Sequence, residues 1–270
     1  MDRKDNKTSK TVALTGAAGR LGNVLRVGFQ ERFEALRLID RRPMYDSRQG
    51  EELIIADVTD DATLQKAFEG CDVVIHLAAV PNDDARFPDL VSANIEGVYR
   101  VLDAARQCGV RRVVLASTHH VIGYYPQGKM LDIADAVRPD SVYAASKCFA
   151  EALGRLFFDK WNLEVICVRI GSLQKEPQDR RQVSTWLSHR DAVHLFERTV
   201  LAENVGFEIV YGVSANSSSW WRDDAAEKIG YHARDDGADF EDRFRNVLED
   251  NGGNDRQGGA FATSEYWIEG

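Results

Sequence analysis

Tyr143 and Lys147 stand four residues apart in VYAASK, a spacing that puts a phenol and an ammonium on one face of a helix. An ammonium held near a phenol favours the phenolate and lowers its pKa from about 10, which makes a general base. The strand before that helix ends in a hydroxyl pair, Ser117 and Thr118. Thr118, Tyr143 and Lys147 therefore read as a proton-transfer set. A hydroxyl orients a substrate oxygen, the phenolate takes its proton, and the lysine tunes the phenol. YxxxK alone is common; its place after a strand that ends in hydroxyls gives it weight.

A second group lies near the amino terminus. TGAAGRLG sets Gly16, Gly19 and Gly22 directly after the apolar run Thr11–Thr15. Glycines there permit a tight turn, close approach of a pyrophosphate to backbone N–H groups, and close packing of helix on strand, with the phosphate charge at the positive helix end. Arg20 and Leu21 belong to the same loop. Asp40 closes the second strand, 18 residues beyond Gly22. A carboxylate at that point accepts hydrogen bonds from ribose hydroxyls and repels a 2′-phosphate, which favours NAD over NADP. Arg41 and Arg42 follow at once and pull the other way. Asp57, with Val58 after it, either faces an adenine amino group or caps a turn. Leu77, Ala78 and Ala79, after the fourth strand, complete the expected cofactor wall.

The elements that must position these residues are legible as an alternation. Strands are expected at Thr11–Thr15, Ala35–Ile39, Glu52–Ala56, Asp72–Ala78, Arg111–Ser117 and Glu164–Ile170. Helices are expected at about Arg20–Arg32, Ala62–Glu69, Leu90–Gln107, which Gly109 stops, and Val142–Trp161. Strands that are apolar throughout are those of a parallel sheet covered on both faces, so the expected fold is a doubly wound α/β sheet of Rossmann type. Past Ile170 the rhythm changes: a helix over Val183–Leu201, a strand over Phe207–Tyr211, part of a short helix over Ala225–Ile229, and a glycine-bearing tail from Asn251, weakly structured or wrapped on the surface. Residues 1–170 are read as the cofactor-binding region and 171–270 as a small substrate-binding cap, in one integrated domain.

Composition narrows the partners. The chain has 270 residues, 44% hydrophobic and 29% charged, with a net charge of −9. Such an acidic protein is not expected to bind nucleic acid or an anionic membrane, and an anionic substrate would need local cations. No apolar run reaches the roughly 18–20 residues of a membrane span, and the amino terminus MDRKDNKTSK has no apolar stretch of signal-peptide kind. Cys71, Cys108, Cys148 and Cys167 are scattered without a CxxC pair, so no metal site or disulfide framework is expected and a reduced, cytoplasmic setting is.

Together these residues resemble the short-chain dehydrogenase/reductase superfamily, and the TGxxGxxG spacing resembles its extended branch. Longer segments are similar to the uronate dehydrogenases: His119–Pro126, Tyr143–Glu151, Val168–Ser172, Ser184–Asp191, Tyr211–Trp221, and on to QGGAF at Gln257–Phe261. Two of them, WLSHRDAVHLFE and EIVYGVSAN, also resemble archaeal relatives that oxidise glucose 6-phosphate. The resemblance implies NAD-dependent oxidation of a ring-form aldose at C1 to an aldonolactone, with a hexuronate such as glucuronate or galacturonate as substrate. It implies Tyr143 as base on the C1 hydroxyl, Thr118 sharing the proton, and Lys147 on the nicotinamide ribose. Ser172 and Arg181 stand where the family binds substrate, and Arg181 would supply the cation that the net charge demands, gripping a carboxylate with two parallel hydrogen bonds. Asn94 occupies a position where relatives approach the cofactor. The two long helices are where extended relatives often pair, so a homo-oligomer is possible.

Two departures stand out. The family's Ser–Ser–Asn–His is here Ser117–Thr118–His119–His120, so a substrate-facing Asn has become His119. Pro81 replaces a sugar-contacting Ser and cannot donate, whereas His119 can donate and, if protonated, adds charge. Either the pocket is rebuilt for another anionic sugar, a phosphate or a sulfonate, or the changes are neutral and uronate remains the substrate. Extended relatives that epimerise or dehydrate nucleotide sugars use the same Tyr–Lys pair, but the chain leaves a short cap for a nucleotide diphosphate, and an epimerase returns its hydride. His189, His194, Trp220, Trp221 and Cys148 read as packing or surface residues.

Overall fold

The computed structural model of the chain describes residues 8–222, 224–245 and 255–263. Six strands fall on the six apolar runs: β1 (Thr8–Thr15), β2 (Phe33–Asp40), β3 (Glu51–Ile55), β4 (Val73–His76), β5 (Arg112–Thr118) and β6 (Glu164–Ile170). Two short strands follow, β7 (Ser172–Leu173) and β8 (Trp186–Leu187), and then β9 (Phe207–Gly212). One seven-stranded sheet has the order β3-β2-β1-β4-β5-β6-β9, with every neighbouring pair parallel. The helices are α1 (Arg20–Gly28), α2 (Asp61–Phe68), α3 (Phe87–Leu90), α4 (Val98–Gln107), α5 (Val142–Trp161), α6 (Arg180–Thr185), α7 (His189–Leu201) and α8 (Asp224–Lys228).

The apolar strands follow from the sheet's two covers. Successive side chains point to opposite faces. Val12, Leu14, Ile166 and Val168 join a core with Leu25 of α1 and Leu195 and Phe196 of α7. Their neighbours Ala13, Val165 and Cys167 join a second core with Leu64 of α2, Val101 of α4 and Phe157 of α5. This is the doubly wound arrangement expected. Strand order reverses between β1 and β4, and a crevice opens at the carboxyl ends of the strands on such a reversal.

The structure corrects several boundaries. The helix expected over Leu90–Gln107 is broken: α3 ends at Leu90, a π-helical stretch runs over Val91–Gly97, and α4 starts at Val98. A π-bulge rotates its side chains away from the α-helical register, which no apolar periodicity reports. The helix expected over Val183–Leu201 is two helices separated by β8, which pairs with β7. Ser188 starts the second, its hydroxyl accepting from the Asp191 N–H at 3.0 Å. That Ser-x-x-Asp cap is a start signal inside the presumed helix. The first helix stops at Gly28 rather than Arg32.

Past Ile170 the chain does more than cover the sheet, since β9 is its seventh strand and α7 packs against α1. The tail expected to be loose from Asn251 divides in two. Residues 246–254 and 264–270, like the polar start over 1–7, lie outside the described residues. Between them, Asp255–Thr263 packs inward, and Gln257 is completely buried.

Candidate active site

A cleft of about 860 Å³ opens at the carboxyl ends of β1, β2, β4, β5 and β6. Every residue expected at the site lines it except Asn94. Asn94 is buried in the π-helical stretch. Its amide accepts from Val80 N (2.8 Å) and donates to Val80 O (3.1 Å) and Ser146 Oγ (3.1 Å). It clamps the loop after β4.

At the β1 end the backbone does the work. Gly16 has φ +71°, and a Cβ there would stand 2.6 Å from Ala78 N. A Cβ on Gly22 would meet the Gly16 and Ala17 carbonyl oxygens at 2.5 Å. Only glycine lets strand, turn and helix close this tightly. The first turn of α1 thus offers unencumbered N–H groups to an anion. The buried Asp40 carboxylate accepts from Ala18 N (3.0 Å) and from Arg42 N (2.9 Å), so it braces the loop while lining the cleft. Asp57 caps a turn, accepting from Thr59 N (3.0 Å) and Thr59 Oγ1 (2.8 Å), and lines the cleft as well.

At the β5 end stand the proton-transfer residues. Ser141 caps α5 by accepting from Ala144 N at 3.1 Å, which starts the helix just before Tyr143. Tyr143 and Lys147 are both buried against the cleft, with Lys147 Nζ 5.6 Å from the phenol ring centre. Nζ donates to the Ala116 carbonyl at 2.9 Å, and burial brings its pKa down to about 8. The phenol of Tyr143 is pushed above its ordinary value, first by burial and then by the negative charge of Asp83. This corrects the expectation that Lys147 lowers it: in this state the ammonium serves Ala116, and loss of solvent dominates. Thr118 Oγ1 accepts from His120 N at 3.3 Å, which turns the chain at the end of β5. Ser117, though at the cleft wall, donates to Glu151 Oε1 at 2.7 Å, and Glu151 is held by Arg169 through two bonds of 2.9 Å.

The third group is cationic. Arg181, on α6, is half-buried, and its Nη1 donates to His119 Nε2 (3.3 Å) and Gln257 O (3.2 Å). His119 Nδ1 lies 3.0 Å from Ile170 O, so that nitrogen carries the proton and Nε2 receives Arg181. Burial, then the neighbouring His120 and Arg181, hold His119 well below its ordinary pKa. His119 is therefore neutral with both ring nitrogens engaged, so the charge it would add if protonated is not supplied here. Ser172 Oγ lies 2.9 Å from Thr185 Oγ1 beside this group.

Sequence reasoning missed four contributors to this end. Asp83 and His120 line the cleft, with His120 Nε2 3.8 Å from Asp83 Oδ1. His120 Nδ1 bonds Asp140 Oδ2 at 2.6 Å, and Asp140 is fully buried. Phe261, from the carboxyl-terminal segment, lines the cleft and meets the His120 ring edge-on at 5.4 Å. The His119–His120 pair was a visible signal; the others depend on how distant loops meet.

The profile of the NAD dependent epimerase/dehydratase family matches residues 12–195. The chain belongs to the NAD dependent epimerase/dehydratase family. Within this family it is 40% identical to a uronate dehydrogenase of Pseudomonas putida, over 93% of this chain and 95% of that one. A uronate dehydrogenase variant of Agrobacterium tumefaciens, solved as a complex with NAD, superposes with a TM-score of 0.89 at 37% identity, covering 94% of this chain and 97% of that one. An NAD-dependent glucose-6-phosphate dehydrogenase of Haloferax volcanii is 35% identical over 85% of this chain and 95% of its own. Other members of the family, such as a UDP-galactose 4-epimerase at 19% identity, share the fold alone.

Proposed function

We propose that this protein oxidises a hexuronate, glucuronate or galacturonate, at C1 to its aldonolactone, with NAD as acceptor. The observation that carries this reading is the presence, in one cleft, of a glycine-lined anion cradle, a buried Tyr143–Lys147–Thr118 set and a half-buried arginine. The cradle fits a dinucleotide, because a Cβ at Gly16 or Gly22 would fill it and Asp40 stands beside it. NAD, when bound, supplies the hydride acceptor. Tyr143 takes the C1 hydroxyl proton, Thr118 holds that oxygen, and Lys147 orients the ribose. Arg181 keeps Nε and Nη2 for the substrate carboxylate, since its anchors among the described residues use Nη1. Ser172 and His119 frame the same end. The likeness to the uronate dehydrogenases supports a carboxylate as the group Arg181 receives.

The reading includes a cytoplasmic setting, which suits four free thiols, and a homo-oligomer through α4 and α5, where Tyr99, Phe149, Leu156 and Trp161 are exposed. No helix among the described residues is long and apolar enough to cross a membrane.

NADH formation with glucuronate, galacturonate, glucose 6-phosphate, sulfoquinovose and glucose tests it. Turnover should be fastest with the uronates. Arg181→Ala should raise the uronate KM about 10- to 100-fold, the range of a charge-assisted pair, and barely affect glucose. Activity on the phosphate or sulfonate alone would reassign the anion, and no net NADH from any sugar would point to an isomerase.

A further inference from the structure

The carboxyl-terminal segment Asp255–Thr263 lies against the sugar end of the cleft, held by backbone bonds such as Gly258 N to Gly123 O at 2.9 Å and by Gln257. The Gln257 side chain is wholly buried. Its Oε1 accepts from Trp221 Nε1 at 2.8 Å, and its Nε2 donates to Pro126 O at 3.1 Å and Lys129 O at 2.8 Å. Its backbone N–H donates to Tyr125 O at 2.8 Å. The remaining polar atom, the backbone oxygen, receives Arg181 Nη1 at 3.2 Å. Four bonds thus fix one carbonyl, and that carbonyl holds the arginine. Two residues on, Gly259 lies under the same side chain. With φ +66°, a Cβ at Gly259 would stand 2.8 Å from Arg181 Nε. Gly258 fits in the same way against Asp140, its missing Cβ 2.0 Å from Oδ2.

From this geometry we infer that Gln257 is the positioning residue for the substrate's anionic group: through its backbone carbonyl it holds Nη1 of Arg181 and so fixes the guanidinium at the cleft. The inference rests on the reading of Arg181 as the carboxylate clamp. The physical need is plain. Arginine carries several rotatable bonds, and holding it ready before the ligand arrives removes the cost of ordering that side chain from binding. His119 supplies the other anchor on the same Nη1, so the guanidinium is fixed in direction as well as place.

The test is a double-mutant cycle of Gln257→Ala and Arg181→Ala, read as the KM and kcat for glucuronate and for glucose with NAD. Gln257→Ala should raise the glucuronate KM about 10-fold and leave the glucose and NAD values within about 2-fold. In the double variant it should add almost nothing to Arg181→Ala, because residues that act through one another are not additive. Gly259→Ala, which leaves every Gln257 side-chain bond in place, should reproduce the rise by pushing on Nε. A merely structural Gln257 would lower all substrates alike and add fully to Arg181→Ala, and that result overturns the inference. So does an unchanged glucuronate KM in both Gln257→Ala and Gly259→Ala. A wild-type protein that ignores uronates altogether would remove the clamp reading itself, and the inference with it, before any variant is compared.

Discussion

The two ends of the cleft are built by different means. The cofactor end is made from backbone and from residues close in the chain: Gly16, Gly22 and Asp40 span one strand–helix–strand unit, and its key bond, Ala18 N to Asp40, crosses 22 residues. The sugar end is made from side chains brought together over long distances. Arg181 meets partners 62 and 76 residues away, and Gln257 reaches Lys129 across 128. A backbone site depends on the absence of side chains and tolerates change poorly. A site of side chains held by other side chains can be retuned at its supports while the chemistry beside it stays intact. His119 shows this. Its Nε2 receives Arg181 Nη1 at 3.3 Å, so it acts on the site through the arginine.

If the two ends are independent, the group they share should be the most sensitive. Tyr143→Phe removes the proton acceptor and nothing else, so turnover should fall by about 10²- to 10⁴-fold, the range of a general base. NAD binding, followed by quenching of protein fluorescence, should stay within about 2-fold. Turnover near the wild-type rate would take Tyr143 out of the reaction.

The cofactor end can be broken alone. Asp40→Ala deletes the brace on Ala18 N and the carboxylate that faces the cleft. The NAD KM should rise about 10-fold or more, with NADP discriminated against less, because two charge-assisted hydrogen bonds and a repulsive charge go together. The uronate KM should not follow. A uronate KM that rises as much as the NAD KM would show that the ends are mechanically one unit.

This contrast also explains what could be read from the sequence. The sheet was legible because its central strands are apolar on both faces, and the glycine loop because Gly16 and Gly22 are required by local geometry. Tyr143, Lys147 and Thr118 were legible from spacing and strand position. The π-helical stretch at Val91–Gly97 was not, nor were the bonds by which Asn94, singled out by the resemblance, holds Val80. Nor was the inward turn of Asp255–Thr263. Gln257 carries no local signal, because its five bonds go to residues 36 to 132 positions earlier in the chain. The family resemblance, not the residue type, singled out Arg181; only tertiary contacts say what aims it.

The smallest effect concerns Asp83, a buried charge that lines the cleft near Tyr143. Asp83 sits on the loop after β4, near His120, and its charge is the second cause of the raised Tyr143 pKa. Asp83 itself ionises later than an ordinary carboxylate, chiefly because it is buried. Asp83→Asn removes that charge. The phenolate becomes easier to form, so the rising limb of kcat/KM against pH should move toward lower pH, by less than about one unit for a charge that is one contributor among two. The direction is fixed by the sign: a nearby anion disfavours a second anion, and its loss favours it. A profile that moves toward higher pH would mean that Asp83 helps Tyr143 by bonding rather than hindering it by charge. A profile that stays in place would mean that the phenol is governed by burial alone, and that the loop after β4 belongs wholly to the sugar end.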